Sequence, residues 1–164
     1  MSEANAIESR ALRHVLGRFA TGVAIVTCVD EQGRAVGLTA NSFSALSLEP
    51  PLVLWSLRQA STLKANFAAA RHFAVNVLGE AQVDTARRFA GSDEDKFSEG
   101  QWAPGSTGAP LLAACAAVIE CETISRQIAG DHVLFIGRVV AMAEAPIAPL
   151  VFQAGHYRMV GEVL

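Results

Sequence analysis

A run of small residues, Thr39-Ala40-Asn41-Ser42, stands in the segment GLTANSFSALSLEPPLVLWS (37–56), whose hydrophobic rhythm otherwise predicts two strands. Small side chains let a flat ring approach the backbone closely, and the run offers peptide N–H, hydroxyl and amide groups along one edge. An isoalloxazine ring needs both an apolar face to pack and hydrogen-bond donors at its edge. The other interpretation is a polar edge strand that bends at the corner of a barrel. The spacing leaves both open.

Two hydroxyl groups, those of Ser61 and Thr62, stand at the predicted start of a helix. Backbone N–H groups and the positive end of a helix attract anions, so this pair suits a phosphate group. N-capping by Ser61 is the alternative, because serine is among the best capping residues. Lys96, Arg87 and Arg88 are further phosphate candidates, with solvated charges as their other interpretation.

A histidine and an aromatic residue mark two more candidate places. Gly130 and Asp131 are typical of a hairpin turn, and His132 follows them at the end of a predicted strand, where a cleft could open. A structural or surface histidine is the alternative. Near the C-terminus, Gly155-His156-Tyr157-Arg158 combines an aromatic ring with two potential cations, or it is a strand that ties the tail down.

Several classes of chemistry lack support in this sequence. It contains no glycine-rich phosphate loop, no G-x-S-x-G elbow and no H-E-x-x-H motif, and its four histidines and three cysteines show no metal-ligand spacing, so we predict no metal. A net charge of −3 disfavours nucleic acid as a partner. Cys115 and Cys121 would lie about 20 Å apart on a shared strand, too far for a disulfide. With Cys28, they are expected to be buried free thiols.

The elements that must position these residues follow from the hydrophobic periodicity. A stripe from Ile7 to Phe19 predicts an N-terminal helix within residues 1–20, capped around Asn5 and ended by Gly22. Further helices are predicted at 61–70 and 81–90, and the Gly/Pro-rich stretch 92–110 is predicted to be a long functional loop. Strands are predicted at 22–30, 35–47, 52–57, 72–78, 111–129, 132–145, 150–152 and 156–160.

Closely spaced strands with a few helices predict a mainly β (α+β) fold, an antiparallel barrel or sandwich formed by a single domain over residues 1–164. Apolar residues, counted with glycine and without tyrosine, make up about 59% of the chain, against a usual ~45–50%. The longest apolar run, Leu111 to Ile119, has nine residues, far fewer than a membrane-spanning helix needs, so no membrane association is expected. The apolar excess therefore predicts a subunit interface or a ligand cleft, and hence an oligomer. Charges scattered through the N-terminus argue against a signal peptide, which makes the cytoplasm the expected compartment.

Taken in order, several segments resemble the flavin reductase-like proteins and, more narrowly, the short reductase components of two-component flavin monooxygenases. The resembling segments are RFATGVAIVTCVDEQGRAVGLTANSFSALSLEPPLVLWSL, STL, FAVNVL, RFAGSDEDKF, GDHVLFIGRV and LVFQAGHYRMV. They extend from about Phe19 to Val160. The run G-x-T-x-x-S-F-x-x-x-S-x-x-P-P-L-V is the most specific part, together with the G-D-H turn.

The resemblance implies an antiparallel split β-barrel with Greek-key topology and a few peripheral helices, which forms a homodimer. It implies FMN or FAD bound beside the dimer interface, and NADH or NADPH as the hydride donor. The residues implied to line the isoalloxazine ring are Thr39, Ala40, Asn41 and Ser42. Those implied to face the ribityl chain and phosphate are Ser56, Ser61, Thr62 and Lys96. Those implied for the nicotinamide side are His132, as the catalytic residue, and His156, Tyr157 and Arg158.

The implied reaction is direct hydride transfer from the nicotinamide to the flavin, which explains why no acid–base pair stands out in the sequence. The reduced flavin would then reach a separate oxygenase component. Two alternatives share the split barrel. One is a pyridoxine-phosphate-oxidase-like FMN enzyme, although an Arg/Lys-rich site for a phosphorylated substrate is missing from the sequence. The other is a non-catalytic flavin- or haem-binding protein.

Overall fold

The computed structural model describes residues 7–92 and 95–164, which form mainly antiparallel strands with a few helices. The helices are α1 (Ser9–Leu16), α2 (Lys64–Ala69) and α3 (Val83–Ala90). The strands are β1 (Thr21–Gly22), β2 (Ala24–Val29), β3 (Ala35–Ala40), β4 (Ser44–Leu48), β5 (Pro51–Arg58), β6 (His72–Val77), β7 (Trp102–Pro104), β8 (Pro110–Leu112), β9 (Ala117–Ala129), β10 (His132–Glu144), β11 (Val151–Gln153) and β12 (His156–Arg158). This confirms the mainly β, antiparallel fold class that the sequence predicts.

One large sheet positions most of the chain, with strands in the order β3-β2-β6-β9-β10-β5-β4. β3 and β4 are consecutive in the chain, yet they lie at opposite edges of this sheet and are joined by residues 41–43. The predicted single strand at 35–47 is therefore wrong: it is two strands with different partners. The small residues at its centre allow the sharp change of direction, which a strand of bulky side chains would resist.

Two apolar clusters hold the sheet and the helices together. In the first, the Trp55 ring stacks on Phe135 with centroids 4.8 Å apart and meets Phe67 of α2 edge-on at 5.0 Å. In the second, Phe89 and Ala86 of α3 pack on the outer side of β2 and β3 and are 1% and 0% exposed. The predicted helix at 81–90 is confirmed, and α3 is fixed by its apolar face.

The predicted loop at 92–110 is only partly a loop, because β7 and β8 pair there as a small hairpin. Two buried polar side chains tie this hairpin to the large sheet. Thr27 Oγ1 donates to the carbonyl of Pro110 at 2.6 Å, and Asn76 Oδ1 accepts from the backbone N–H of Leu112 at 2.8 Å. These partners are more than 30 residues away in the chain, so local patterns could not indicate the pairing.

A buried carboxylate on β9 anchors the tip of the same hairpin. Glu120 is 5% exposed and accepts four hydrogen bonds, from the backbone N–H and the hydroxyl of Ser106 (3.2 and 3.1 Å) and from those of Thr107 (both 2.8 Å). Burial of this carboxyl acts to raise its pKa, but the four hydrogen bonds to the charged form outweigh it and lower the pKa.

The predicted hairpin of 111–129 with 132–145 is confirmed as β9 and β10, although β9 begins only at Ala117. Residues 113–116 instead form a turn in which Ala114 has a positive φ of 58°. Cys115 lies in this turn and not on β9 with Cys121, so the distance of about 20 Å expected between these two cysteines on a shared strand does not apply. The cysteines are nevertheless buried and free, as predicted. Burial raises the pKa of Cys115 to about 11 and that of Cys28 and Cys121 to about 12.

The N-terminal helix is shorter than predicted, and its apolar stripe lies on the surface. α1 has Glu8 as its N-cap residue, while the predicted cap at Asn5 lies outside the described residues. Leu16 and Phe19 are 61% and 80% exposed. The chain after α1 forms β1, which pairs with β11 in a second sheet of order β1-β11-β12. Among the described residues, no helix is long and apolar enough to cross a membrane.

Candidate functional site

One cleft of about 1030 Å³ collects segments that are far apart in the sequence. Among the described residues, its walls are β3 with the turn after it (35–42), the end of β5 with the following loop (56–58 and 60–63), the end of α3 with the residues after it (89–92, 96 and 97), and the start of β10. The sequence-predicted residues that line it are Thr39, Ala40, Asn41, Ser42, Ser56, Ser61, Thr62, Lys96 and His132. The structure therefore brings together nine of the twelve predicted site residues.

β3 is an edge strand of its sheet and lines this cleft along its whole length. Among the described strands of its sheet β3 pairs with β2 alone, so half of its backbone donors and acceptors point away from the ladder. The Ala40 side chain is 8% exposed and belongs to the first core cluster. The Thr39 hydroxyl donates to the carbonyl of Ala86 at 2.6 Å, which holds β3 against α3. The Thr39 hydroxyl is one of the polar groups expected along the ring edge, and its proton is already donated to a helix carbonyl.

The Ser42 hydroxyl, at the turn between β3 and β4, also forms hydrogen bonds within the protein. Its Oγ donates to the carbonyl of Ser56 at 3.0 Å and accepts from the N–H of Ser56 at 2.9 Å. The Ser42 hydroxyl thus satisfies both the N–H and the carbonyl of Ser56, as the backbone of a neighbouring strand would. The Ser42 hydroxyl therefore already donates its proton within the protein, and the exposed Asn41 beside it lines the cleft.

The hydroxyl pair after β5 forms a turn and not a helix cap. Ser61 Oγ accepts from the backbone N–H of Leu63 at 3.2 Å, and α2 begins only at Lys64. The predicted start of this helix at Ser61 is wrong. The Ser61 hydroxyl bonds to the backbone N–H of Leu63 in the turn before the helix instead of capping the helix. As an acceptor in this bond, the Ser61 hydroxyl still has its proton to donate. Thr62 is exposed on the same wall.

An aromatic wall packs directly against β3 at one side of the cleft, and no sequence pattern assigned it to the site. Phe89 and Phe97 line the cleft and pack edge to face with centroids 5.0 Å apart. A Cβ atom on Gly37 would lie 3.0 Å from Phe89 and 3.1 Å from Phe97, so only glycine lets β3 approach both rings. Phe89 is 1% exposed, so its ring belongs to the core and only its edge borders the cleft.

The predicted phosphate cations lie in different places. Lys96 lines the cleft, where its Nζ donates to the carbonyl of Phe89 at 3.2 Å, near the end of α3. Arg88 pairs with Glu99, and Arg87 pairs with Asp84 at 3.3 Å. Neither arginine is among the described residues that line the cleft.

His132 is the first residue of β10 and lies opposite Arg58, the last residue of β5. Its Nδ1 lies 2.7 Å from Asp131 Oδ1. The hydrogen bond from His132, followed by the charge of the ring, lowers the pKa of Asp131. Asp131 therefore keeps Nδ1 occupied and leaves Nε2 as the ring nitrogen that a ligand could use.

The C-terminal candidates lie apart from this cleft. None of His156, Tyr157 and Arg158 is among the described residues that line it. All three are on β12, where the Tyr157 ring packs against Phe152 with centroids 5.4 Å apart and under the guanidinium of Arg87 at 5.8 Å. Within this chain they form a separate surface.

Comparison with known proteins agrees with the family that the sequence resembles. The model of the flavin reductase like domain matches residues 16–161. The reductase subunit of stachydrine N-demethylase from Rhizobium meliloti is 41% identical over 94% of this chain and 67% of its own length. The reductase subunit of a flavin-dependent monooxygenase from Rhodococcus jostii is 43% identical over 94% of this chain and 79% of its own length. The chain spans only 50% and 51% of two further curated relatives.

A solved structure gives the same likeness in three dimensions. The NADH:FAD oxidoreductase of Streptomyces globisporus C-1027, in complex with NAD and FAD fragments, has a TM-score of 0.89 and 36% identity. The match covers 96% of this chain and 98% of that one.

Among the residues that the present structure describes, no group of three or more His, Cys, Asp or Glu side chains could hold a metal ion.

Proposed function

The chain belongs to the flavin reductase-like family, and we propose on that premise that it reduces FMN or FAD with NADH or NADPH and supplies the reduced flavin to a separate monooxygenase component. The observation that carries this proposal is the convergence of nine predicted residues, from separate segments of the chain, on one cleft. The resemblance implies a role for each of them. The kinds of protein named among the relatives support the same activity.

The cleft fits a flavin by size and by the chemistry of its walls. Its volume of about 1030 Å³ lies just above the ~300–1,000 Å³ usual for small-molecule sites, which allows space for a second ring system. The edge strand β3 offers peptide groups, and Phe97, which is half-buried beside it, supplies apolar surface. A flat ring with one polar edge matches these two features.

Within the cleft, each part of the chain has a separate task in our proposal. A bound flavin would supply the hydride-accepting ring. Thr39 to Ser42 orient it through their backbone edge, because two of the four side chains there already bond to the protein. Ser56, Ser61, Thr62 and Lys96 bind the ribityl chain and phosphate. The aromatic wall excludes water, and His132 donates or accepts a hydrogen bond at Nε2 to place the nicotinamide.

We also propose that the chain is a split-barrel homodimer. Residues 41–43 join the two edges of the large sheet, and so short a connection holds the ends of β3 and β4 within about 14 Å of each other, as in a curled sheet. Val15, Leu16 and Phe19 are 65%, 61% and 80% exposed, an apolar surface that a second subunit would bury. The three residues of β12 lie outside the cleft of their own chain, so in our proposal they reach the nicotinamide of the second subunit across this interface. They are His156, Tyr157 and Arg158. Sedimentation equilibrium of the purified protein tests the dimer, and a monomer at micromolar concentration would contradict it.

The decisive experiment is NAD(P)H consumption by the purified protein with and without added FMN or FAD. A flavin reductase oxidises NAD(P)H in proportion to added flavin, and a diffusing flavin predicts a protein that is colourless when purified. A pyridoxine-phosphate-oxidase-like enzyme would retain FMN and require a phosphorylated substrate. A binding module would consume no NAD(P)H, and that result would refute the proposal.

His132→Ala tests the nicotinamide side of the cleft. The expected result is a clear loss of kcat/KM for NAD(P)H with flavin affinity little changed, because the ring is proposed to contact the dinucleotide. His72→Ala, on β6 and outside the cleft lining, is the matched control. Unchanged kcat and KM in His132→Ala would remove this histidine from the mechanism.

A further inference from the structure

We infer that Gln59 is a positioning residue for the nicotinamide site: it fixes the turn that carries His132 and couples this turn to the loop of Ser61 and Thr62. The inference rests on the proposed function, because it assigns His132 to the dinucleotide. It adds a residue that does not itself line the cleft and that neither its type nor its spacing singled out.

Gln59 binds both carbonyl groups of the two-residue turn between β9 and β10. Its backbone N–H donates to the carbonyl of Asp131 at 2.8 Å, and its side-chain Nε2 donates to the carbonyl of Gly130 at 2.7 Å. A carbonyl oxygen can only accept, so the amide must present its NH₂ group to Gly130. One residue therefore holds the turn at two points, across 71 positions of sequence.

The position of Gln59 in the chain links the two sides of the cleft. The residues before it, Ser56 to Arg58, line the cleft at the end of β5, and Ala60 to Leu63 line it directly afterwards. His132 pairs with Arg58, the neighbour of Gln59. A shift of the turn relative to β5 would therefore move His132 relative to the hydroxyl groups of Ser61 and Thr62.

The hydrogen bond between His132 and Asp131 completes this chain of contacts. Asp131 supplies the carboxylate that engages His132 Nδ1 and the carbonyl that Gln59 engages. Hairpin ends are the parts of a sheet that open most easily, because few contacts hold them. A displacement of a reacting group by about 1 Å can cost as much as 10²-fold in rate, so holding this turn has a direct kinetic value.

The test is Gln59→Met, which keeps the length of the side chain and removes its donor without adding charge. We expect kcat/KM for NADH to fall about 3- to 10-fold, the factor that one net hydrogen bond corresponds to, while flavin affinity and Tm stay near wild type. Amide hydrogen exchange of the segment 128–134 should become faster in the flavin-free protein, a result that does not depend on activity. Gln59→Lys, which restores a donor, should recover much of the loss.

Gln127→Met is the matched control, since Gln127 is an exposed glutamine on β9, outside the cleft lining. It should behave as wild type in every measurement. Because Gln59 is only partly buried, its variants are expected to fold, and Gln59→Glu, which also cannot donate, serves if Gln59→Met is unstable. Wild-type kinetics and exchange in the Gln59 variants would overturn the inference, and so would a parallel loss of flavin affinity and Tm. If the wild-type protein itself reduces no flavin, the proposed function fails first, which separates the two outcomes.

Discussion

The close approach of β3 to the aromatic wall makes Gly37 the most informative position to perturb. Gly37 is buried, and an added Cβ would lie 3.0 Å from Phe89, 3.1 Å from Phe97 and 3.2 Å from the methyl group of Thr27. Each distance is below ordinary van der Waals contact, and two rings that pack edge to face on each other cannot move aside as the end of a flexible chain can. Gly37→Ala is therefore expected to force the rings apart.

The magnitude follows from two opposing terms. Overpacking a filled site costs about 1–3 kcal/mol, and replacing glycine by alanine at an ordinary φ stabilises by ~0.4–1 kcal/mol through the unfolded chain. The net expectation is a destabilisation of about 1–2 kcal/mol, which corresponds to a fall of about 2–8 °C in Tm for a chain of this size. Since both rings line the cleft, FMN should also bind about 3- to 10-fold more weakly.

The assay combines thermal unfolding with a fluorescence titration of FMN. A second glycine, substituted in the same way, controls for the stabilisation that alanine brings by restricting the unfolded chain. Gly22 on β1 has no atom within 4 Å of its added Cβ and no positive φ, so Gly22→Ala should raise Tm slightly. Phe97→Leu in the Gly37→Ala background should recover part of the stability, because it removes one of the crowded rings. If Gly37→Ala gains as much stability as Gly22→Ala, the proposed packing of β3 against the rings is wrong.

Three further outcomes are expected. Ser42→Ala should destabilise the protein by about 1–3 kcal/mol in urea unfolding, because it leaves the N–H and carbonyl of Ser56 without their partner, whereas Ser44→Ala, which loses an exposed bond to the next residue, should change stability little. Ala154→Gly should stabilise by about 0.5–1 kcal/mol, since Ala154 has a φ of 51°, and an unchanged or lower Tm would show that its turn is not strained. The lowered pKa of Glu120 means that the folded state favours its charged form, so its contribution is complete above the unfolded-state pKa of ~4.3 and is lost as pH falls further. Glu120→Gln should therefore be less stable at pH 7 and show a flatter loss of stability between about pH 5 and 3; an unchanged pH profile would contradict this.

Local patterns in the sequence were sufficient for elements whose partners are nearby. The hairpin around Gly130 and the strand 72–78 follow from turn residues and β-branched runs, and the structure confirms both. The helix at 81–90 follows in the same way from its apolar stripe. The family is also readable from sequence, because the run from Gly37 to Val53 and the G-D-H turn preserve residue types at fixed spacing.

The direction of individual side chains required the tertiary structure. Thr39 and Ser42 line the cleft, but their hydroxyls bond to Ala86 and Ser56, and no local pattern could indicate partners 47 and 14 positions away. The separation of β3 from β4 and the aromatic wall at Phe97 depend in the same way on which distant segments pack together. Residue types and their periodicity along the chain can be taken from the sequence alone. Only the fold decided which hydrogen-bonding groups meet each other and which remain open to a ligand, because that depends on contacts between segments that periodicity does not encode.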